Sequence, residues 1–158
     1  MDFKEIFKCF LDEQKNLKVI SVASCDLQGK PNSAAKMLVD VVAPNRVYYL
    51  DYNHTQTFAN LARNPQLSIS FMDDAAFTGY RLTGAGEALR PGAELGAAQK
   101  SWDRRLIAYE ADRILARLTG RYSTKESENT LPKDFVIVKF IAKEAAVIKP
   151  DRIFRATN

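Results

Sequence analysis

The first hydrophobic residues of the chain repeat at the spacing of an amphipathic helix. They are Phe3, Ile6, Phe7, Phe10 and Leu11, which fall at i, i+3, i+4, i+7 and i+8. This spacing predicts a short helix over residues 2–13 with one apolar face, and Asp2 is suited to cap its first turn. The helix is therefore expected to cover one side of an apolar core.

Beyond this helix the pattern changes to the period of two that is typical of strands. Residues 18–25 (KVISVASC) and 31–42 (PNSAAKMLVDVV) are rich in small and β-branched side chains. A turn containing Gly29 separates them, so we expect a hairpin. A third, aromatic strand is predicted over residues 46–52, after a turn at Pro44.

A short helix and a second hairpin follow. Residues 54–65 (HTQTFANLARNP) predict two or three helical turns, which begin after Thr55 as N-cap and end at the Asn-Pro pair. Residues 66–74 and 79–90 predict the two strands of the hairpin. The Gly-Ala-Gly sequence inside the second strand favours a bulge or a sharp bend of the kind found at barrel corners.

The last third of the chain predicts a long helix and one final strand. Residues 92–120 have a helical pattern, with Gly120 as the C-cap. The predicted core-facing stripe of this helix consists of Ile107, Ala111, Ile114, Leu115 and Leu118. A polar loop leads to residues 134–150, which predict a largely buried strand that bends near residues 142–146.

The chain contains no internal repeat and no linker, so residues 1–158 are predicted to form a single domain. Five or six antiparallel strands joined by short turns are best closed into a small barrel, because closure removes the exposed edges of the sheet. We therefore expect a mainly β protein with flanking helices.

Composition and charge narrow the functional classes. The 158 residues are 46% hydrophobic and 27% charged, which is enough apolar material for a core. Residues 1–90 carry 10 basic and 10 acidic side chains, whereas residues 91–158 carry 13 and 9, so the net charge of +4 lies in the second part. There the two signs are interleaved, which is typical of a solvated helix face, and we expect no nucleic-acid binding.

The sequence also disfavours secretion and a membrane span. Charged residues interrupt both the longest apolar stretch and the first ten residues, so we expect no membrane association and a cytoplasmic location. Cys9 and Cys25 match neither a disulfide framework nor a zinc spacing, and we expect a reduced, buried pair.

The side chains offer little independent chemistry. His54 is the only histidine and the chain has no G-x-S-x-G motif, which argues against a hydrolytic triad. Histidine and cysteine are also too few and too scattered for a zinc site, so no metal is expected. If the protein is an enzyme, we expect a cofactor to supply the chemistry.

Two features point to a bound anion. Residues 46–65 run from a strand into the start of a helix, where the N–H groups of Thr55, Gln56 and Thr57 and the Thr57 hydroxyl form a possible phosphate cradle. The alternative is an ordinary threonine-capped helix. Lys36 lies in the middle of a strand and either reaches a bound anion or is a surface lysine whose stem lies along the sheet.

The order of these motifs resembles the FMN-binding split β-barrel family of pyridoxamine 5′-phosphate oxidase-like proteins. The resemblance rests on GKPN at 29–32, on DYNHTQTFANLARNP at 51–65 and on GYRLTG at 79–84, and it extends over about residues 2–90. It implies a six-stranded antiparallel split β-barrel. It also implies a homodimer, with one FMN in each of two symmetric clefts between the subunits.

The resemblance assigns cofactor contacts to three parts of the chain. The residues expected to line the flavin are Ser33, Ala34, Ala35 and Lys36. Those expected near the ribityl phosphate are Asp51, Tyr52, His54, Thr55, Gln56, Thr57 and Asn60. Gln56 stands where many relatives have a lysine, so Lys36 or Arg81, from either subunit, is expected to supply the positive charge.

The end of the chain departs from the true oxidases, which carry arginines and a histidine there and a terminal R-L-x-P. The sequence PDRIFRATN provides Arg152 and Arg155 without a histidine or the closing proline, so the substrate site of those oxidases is not reproduced. Residues 91–126 resemble a helical insertion that covers the partner's cleft. Its Trp102 and Tyr109 either reach the flavin or, as is expected first for Trp102, anchor the packing.

The resemblance implies a flavoprotein that passes hydride or electrons between a reduced donor and an unidentified small molecule. The alternative is a non-catalytic protein that binds or stores flavin or haem on the same barrel. Both functions are compatible with the residues above.

Overall fold

The computed structural model describes residues 1–120 and 134–158. Its helices are α1 (Phe3–Glu13), α2 (Gln56–Leu61) and α3 (Ala93–Leu118). Its strands are β1 (Val19–Cys25), β2 (Pro31–Val42), β3 (Arg46–Asp51), β4 (Gln66–Asp73), β5 (Thr78–Ala88), β6 (Val136–Lys149) and β7 (Arg152–Thr157). The predicted order of elements is confirmed, while β7 was not predicted. The polar loop after α3 lies almost entirely outside the described residues.

Six of the strands close into an antiparallel barrel. The sheet order is β3-β2-β1-β4-β5-β6-β7, and β3 also pairs with β6, which joins the two ends of the first six strands. Along one edge of β6, residues 136–141 pair with β3, whereas residues 144–149 pair with β7. Strand β6 therefore leaves the barrel halfway along its length. The fold is the predicted six-stranded split β-barrel with flanking helices.

Helix α1 closes one side of the barrel core. Asp2 and Glu5 form a reciprocal capping box that satisfies two of the first backbone N–H groups. The apolar face buries Phe3, Ile6, Phe7 and Phe10. The Phe10 ring meets Phe71 of β4 edge-on, with 4.7 Å between the ring centroids. Burial of each such side chain stabilises the fold by about 1.5–3 kcal/mol.

The bulge predicted at the Gly-Ala-Gly sequence of β5 is confirmed at Gly84, and its extra residue, Lys143, lies in the stretch of β6 where a bend was predicted. The pairing of β5 with β6 shifts register here, because Thr83 lies opposite Glu144 and Gly84 lies opposite Ala142. A Cβ atom at Gly84 would collide with the backbone carbonyl of Ile141. Glycine is therefore needed at this position for the two backbones to approach.

The predicted apolar stripe of α3 does not face the core, so this prediction is wrong. Ile107, Ile114, Leu115 and Leu118 are 55–79% exposed. The helix packs instead through an adjacent face, whose buried residues are Ala98, Ser101, Trp102 and Tyr109. This face covers Val39, Tyr48, Leu50 and Ile137 on the outside of the barrel and forms a second, smaller core. Trp102, 3% exposed, is accordingly a packing anchor.

The outcomes for two smaller expectations differ. Gly120 follows the end of α3 with a φ of +68°, the left-handed conformation expected of a C-terminal glycine. Cys9 and Cys25 are both free but only half-buried, so the expectation of a buried pair is wrong.

Within the described residues, no helix is long and apolar enough to cross a membrane.

Candidate functional site

The split between β2 and β3 opens a cavity beside the start of α2. Strand β3 pairs only with residues 38–42 of β2, so residues 31–37 have β1 on one edge and no strand on the other among the described residues. The cavity at this edge has a volume of about 300 Å³. Its lining residues are Asn32, Ala34, Ala35, Lys36, Met37, Leu50, Tyr52, Thr55, Gln56 and Thr57. We call this cavity the β2–β3 cleft.

A buried ion pair spans the cleft. Lys36 Nζ donates to Asp51 Oδ1 at 2.5 Å, and both side chains are almost fully buried, with 5% and 0% exposure. The Thr55 hydroxyl donates to the same carboxylate oxygen at 2.7 Å. The interpretation of Lys36 as a surface lysine is therefore wrong. Its positive charge is directed at Asp51, which reduces what it offers to an anion in the cleft.

The second oxygen of Asp51 lacks a partner. Oδ1 accepts three hydrogen bonds, including one from the Tyr52 N–H at 2.7 Å, whereas nothing among the described residues donates to Oδ2. The hydroxyl of Tyr49, two residues earlier on the same face of β3, is likewise buried without a partner there. Burial strongly raises the pKa of Tyr49, and Asp51 raises it further, so this phenol stays neutral.

Helix α2 is held over the cleft by a network of amide and hydroxyl groups. Asn32 Nδ2 donates to the Thr57 hydroxyl at 3.1 Å and to Ser24 Oγ at 3.3 Å. Asn60 Nδ2 also donates to Ser24, at 3.1 Å, and Asn60 Oδ1 accepts from Gln56 Nε2 at 2.8 Å. The network is buried, since Thr57 and Asn60 are 1% and 3% exposed.

The predicted phosphate cradle is altered in two details. The N–H of Thr55 donates to the carbonyl of Tyr52 at 3.1 Å, so it is not available to a ligand. The Thr57 hydroxyl accepts from Asn32 Nδ2, so only its own hydrogen remains to be donated. Thr55 does cap α2 as predicted, because its hydroxyl accepts from the Phe58 N–H at 3.1 Å. Of the three predicted cradle residues, Thr55 is half-buried, Thr57 is buried and Gln56 is exposed.

Tyr52 and His54 lie at the mouth of the cleft. Their rings are 5.8 Å apart and tilted by 30°. Tyr52 is half-buried and lines the cleft, whereas His54 is exposed on the loop before α2. Burial and the nearby Asp51 carboxylate raise the pKa of Tyr52. This phenol is therefore a neutral hydrogen-bond donor at physiological pH.

The segment of β2 that was predicted to line a flavin borders a second hollow on the outside of the barrel. Ser33, Ala34 and Ala35 line it together with β1 and β4, and its volume is about 360 Å³. Ser33 Oγ lies 3.2 Å from Ser21 Oγ. Ala34 and Ala35 thus border both this hollow and the β2–β3 cleft, which makes this stretch of β2 a thin wall between them.

Arg81 lies outside the cleft of its own chain. Arg81 stands in a row of directly paired residues across four neighbouring strands. The row runs from Arg81 of β5 through Ser70 of β4 and Ser21 of β1 to Ala35 of β2. Three strand spacings of about 4.8 Å separate Ala35 from Arg81, or about 14 Å. The Nε of Arg81 is buried without a hydrogen-bond partner among the described residues.

The structure brings most of the predicted site residues together and leaves a few apart. Ala34, Ala35, Lys36, Tyr52, Thr55, Gln56 and Thr57 line the cleft, and Asp51 and Asn60 bond to its walls. Ser33, His54 and Arg81 lie outside it. Sequence reasoning missed Ser24 and Asn32, although they face each other in the predicted first hairpin and are polar at positions that point inward. Two polar residues paired across a hairpin on its inward face were the signal by which the sequence could have identified them.

The described residues thus form a split barrel with a cavity between two separated strands. A sequence profile of the pyridoxamine 5′-phosphate oxidase family matches residues 4–148. The chain belongs to this family. A comparison with curated protein sequences found no significant match.

Solved structures from several organisms share the fold. A Clostridium acetobutylicum protein related to general stress protein 26, of the pyridoxinephosphate oxidase family, has a TM-score of 0.66 at 16% identity, over 98% of this chain and 95% of that one. HupZ of Group A Streptococcus has a TM-score of 0.60 at 20% identity, over 95% and 96%. A heme binding protein of Mycobacterium smegmatis has a TM-score of 0.66 at 17% identity, over 98% and 57%. These identities establish the fold alone.

Proposed function

We propose that the protein binds FMN in the β2–β3 cleft and acts as an oxidoreductase on a small molecule. The observation that carries this proposal is the unpaired edge of β2 at residues 31–37, which faces a cavity beside the start of α2. Its peptide groups can hydrogen-bond a planar heterocycle as a neighbouring strand would. When bound, FMN supplies a ring that accepts and returns hydride or electrons.

The side chains of the cleft offer hydrogen-bond donors and acceptors that suit such a ligand. Lys36 donates to Asp51 and, at 3.4 Å, to Thr55, which leaves one N–H for a ligand, and the unbonded Oδ2 of Asp51 is an acceptor. Tyr52 adds a neutral hydroxyl at the mouth. In this proposal Lys36 and Asp51 orient the heterocycle, while Thr55 keeps the carboxylate in position.

The cavity in one chain is too small to enclose the whole cofactor. Its volume of about 300 Å³ is at the lower end of the range for small-molecule sites. We therefore propose a homodimer in which a second copy completes the cleft. The exposed aliphatic residues of α3 support this, because such a patch usually marks an interface. Arg81 lies on the outer face of the sheet, away from α3, and its Nε has no hydrogen-bond partner among the described residues, so it is suited to hold a phosphate oxygen if that face also belongs to the interface.

A second candidate is binding of haem without redox turnover. It is supported by His54, which lies exposed beside Tyr52 at the mouth of the cleft and offers an imidazole ligand for iron. A structural neighbour is itself a heme binding protein. The His54→Ala variant distinguishes the candidates, because it should abolish haem binding and leave FMN binding intact.

Titration of the purified protein with FMN, riboflavin and haemin tests the proposal. We expect FMN to bind, riboflavin to bind more weakly, and the bound flavin to bleach with a reduced nicotinamide under anaerobic conditions. Gln56→Lys should tighten FMN by less than about 1 kcal/mol, in a salt-sensitive way, and leave riboflavin unchanged. Gln99→Lys, the same substitution at an exposed position of α3, is the control. A Soret band with haemin and no flavin binding would overturn the proposal.

A further inference from the structure

The chain carries another cavity, which the proposed cofactor does not use. It lies where the residues just after α1, the C-terminal part of β2 and the middle of α3 meet, and its volume is about 560 Å³. We call it the α1–α3 groove. Its lining includes Lys15, Val39, Asp40, Arg104, Arg105 and Tyr109.

A β-bulge in β2 builds the floor of this groove. Leu38 lies opposite Tyr49 and Asp40 lies opposite Tyr48, so Val39 is an extra residue. A bulge turns consecutive side chains toward the same face. Val39 accordingly packs in the core beneath α3, and Asp40 also faces that helix, where its Oδ2 accepts from the Ser101 hydroxyl at 2.7 Å.

Arg105 anchors α3 to this irregular stretch. Its Nε donates to the carbonyl of Val39 at 2.6 Å, and Nη1 donates to the carbonyl of Leu17 at 3.2 Å. Nη1 also donates to the Tyr109 hydroxyl at 3.3 Å. Because this hydroxyl accepts from Arg105, its own hydrogen is directed away from the arginine. The wall formed by Arg105 and Tyr109 is therefore fixed and presents a donor.

The charge of the groove is positive. Lys15, Arg104 and Arg105 contribute three positive charges against the single negative charge of Asp40. Both carboxylate oxygens of Asp40 are already bonded, Oδ1 to the Val41 N–H at 2.9 Å and Oδ2 to Ser101. Arg104 Nη2 approaches the same Ser101 hydroxyl at 3.1 Å. The acid is thus satisfied internally, and the cations dominate what a ligand meets.

We propose that the α1–α3 groove binds a small anion, a carboxylate or phosphate carried on a compact apolar body. Lys15 and Arg104 pair with the anionic group, and the Tyr109 hydroxyl donates to it. Val39 and Ala108 provide the apolar contact. The inference goes beyond the proposed cofactor and does not depend on it, because the groove belongs to one chain and lies on a different part of β2.

Nuclear magnetic resonance of the ¹⁵N-labelled protein, titrated with phenyl phosphate, tests this site. We expect saturable shifts at the amides of residues 101–109 and near Lys15. Inorganic phosphate should bind the same site more weakly, because it lacks the apolar body, and phenol should cause no shift, because it lacks the anionic group that Lys15 and Arg104 hold. Amides of residues 55–57 report the β2–β3 cleft separately, and shifts confined to them would overturn the proposal.

Two variants and two controls complete the test. Arg104→Gln and Lys15→Gln should each weaken phenyl phosphate by about fivefold, the loss expected for one partly exposed charge-assisted contact. Lys4→Gln and Arg152→Gln remove the same charges from exposed positions outside the groove and should leave the affinity unchanged. Equal weakening by all four would indicate diffuse attraction to a basic surface and would refute the site. The ¹⁵N spectrum of each variant verifies its fold.

Discussion

At the scale of single residues, the ion pair between Lys36 and Asp51 determines the character of the cleft. Both groups have left water, and an isolated charge at this depth is costly. Each therefore depends on the other, with Thr55 and the Tyr52 N–H as additional partners for Asp51. A single substitution here affects stability as well as the site.

We expect Lys36→Met to lower the free energy of unfolding by about 3–5 kcal/mol, because it leaves the Asp51 carboxylate buried without its counterion. Adding Asp51→Asn should recover much of the loss, since the amide is neutral and still accepts from Thr55. Urea denaturation of both variants measures this.

Lys18→Met is the matched control for that experiment. Lys18 and Asp112 form an ion pair at 3.7 Å with 52% and 63% of the side chains exposed. Its loss should cost less than about 1 kcal/mol. If Lys36→Met were no more destabilising than Lys18→Met, the buried position of the Lys36–Asp51 pair would not make it more important for stability than a surface pair.

At the scale of elements, α3 depends on its first turn for its position on the barrel. Glu94 accepts from the Tyr48 hydroxyl at 2.8 Å and from Lys139 Nζ at 3.1 Å, which joins the helix to β3 and β6. Its negative charge also lies at the helix N-terminus, where it is favoured by the helix dipole. The hydrogen bond from Tyr48, followed by that from Lys139, lowers the pKa of Glu94 below its usual value.

Because the pKa of Glu94 is lower in the folded state than in the unfolded state, its contribution to stability is present above the unfolded pKa. It is lost as the pH falls through the folded value. Wild type and Glu94→Gln should therefore differ in unfolding free energy at neutral pH, and the difference should shrink as the pH falls below the ordinary glutamate pKa of about 4.3 and vanish below the lower folded-state pKa.

Chemical denaturation between neutral and acidic pH measures this convergence. In a Tyr48→Phe background the acid-dependent difference should shrink, since the largest cause of the shift has been removed. A difference that stayed constant with pH would mean that Glu94 acts through packing rather than through its charge.

At the scale of the whole molecule, α3 leaves an aliphatic surface uncovered. Ile107, Ile114, Leu115 and Leu118 are more than half exposed. Together with the incomplete β2–β3 cleft, this surface predicts a homodimer with twice the mass of the chain in light scattering. The double variant Ile114→Glu with Leu118→Glu should be monomeric and keep its circular dichroism spectrum, because neither residue contacts a core.

Gln99→Glu adds a charge at an exposed position about 22 Å from Ile114 along the same helix and should leave the dimer intact. A wild-type chain that sediments as a monomer at high concentration would contradict the proposed dimer. A charged double variant that remained dimeric would place the interface elsewhere on the surface, and the outer face of the sheet around Ser33 and Arg81 would then be the next region to test.

The local sequence was sufficient for the elements and for much of the cleft. Helix and strand positions depend on spacing, capping and turn residues that act within a few positions, as in the Asp2 capping box and the Thr55 cap. The cleft residues of β2 and α2 were predictable because they are close in motifs that the family shares. Barrel closure followed from the need to remove sheet edges.

Tertiary structure alone determined which faces and which charges meet. The aliphatic stripe of α3 fits the helical spacing, yet the helix packs through Trp102 and its neighbours on the outside of the barrel, where Arg105 also donates to the carbonyl of the bulged Val39. Lys36 finds Asp51 fifteen residues away because β2 and β3 separate beyond Leu38. Such pairings depend on register and on strand separation, which are properties of the closed barrel and leave no signal in the spacing of the residues themselves.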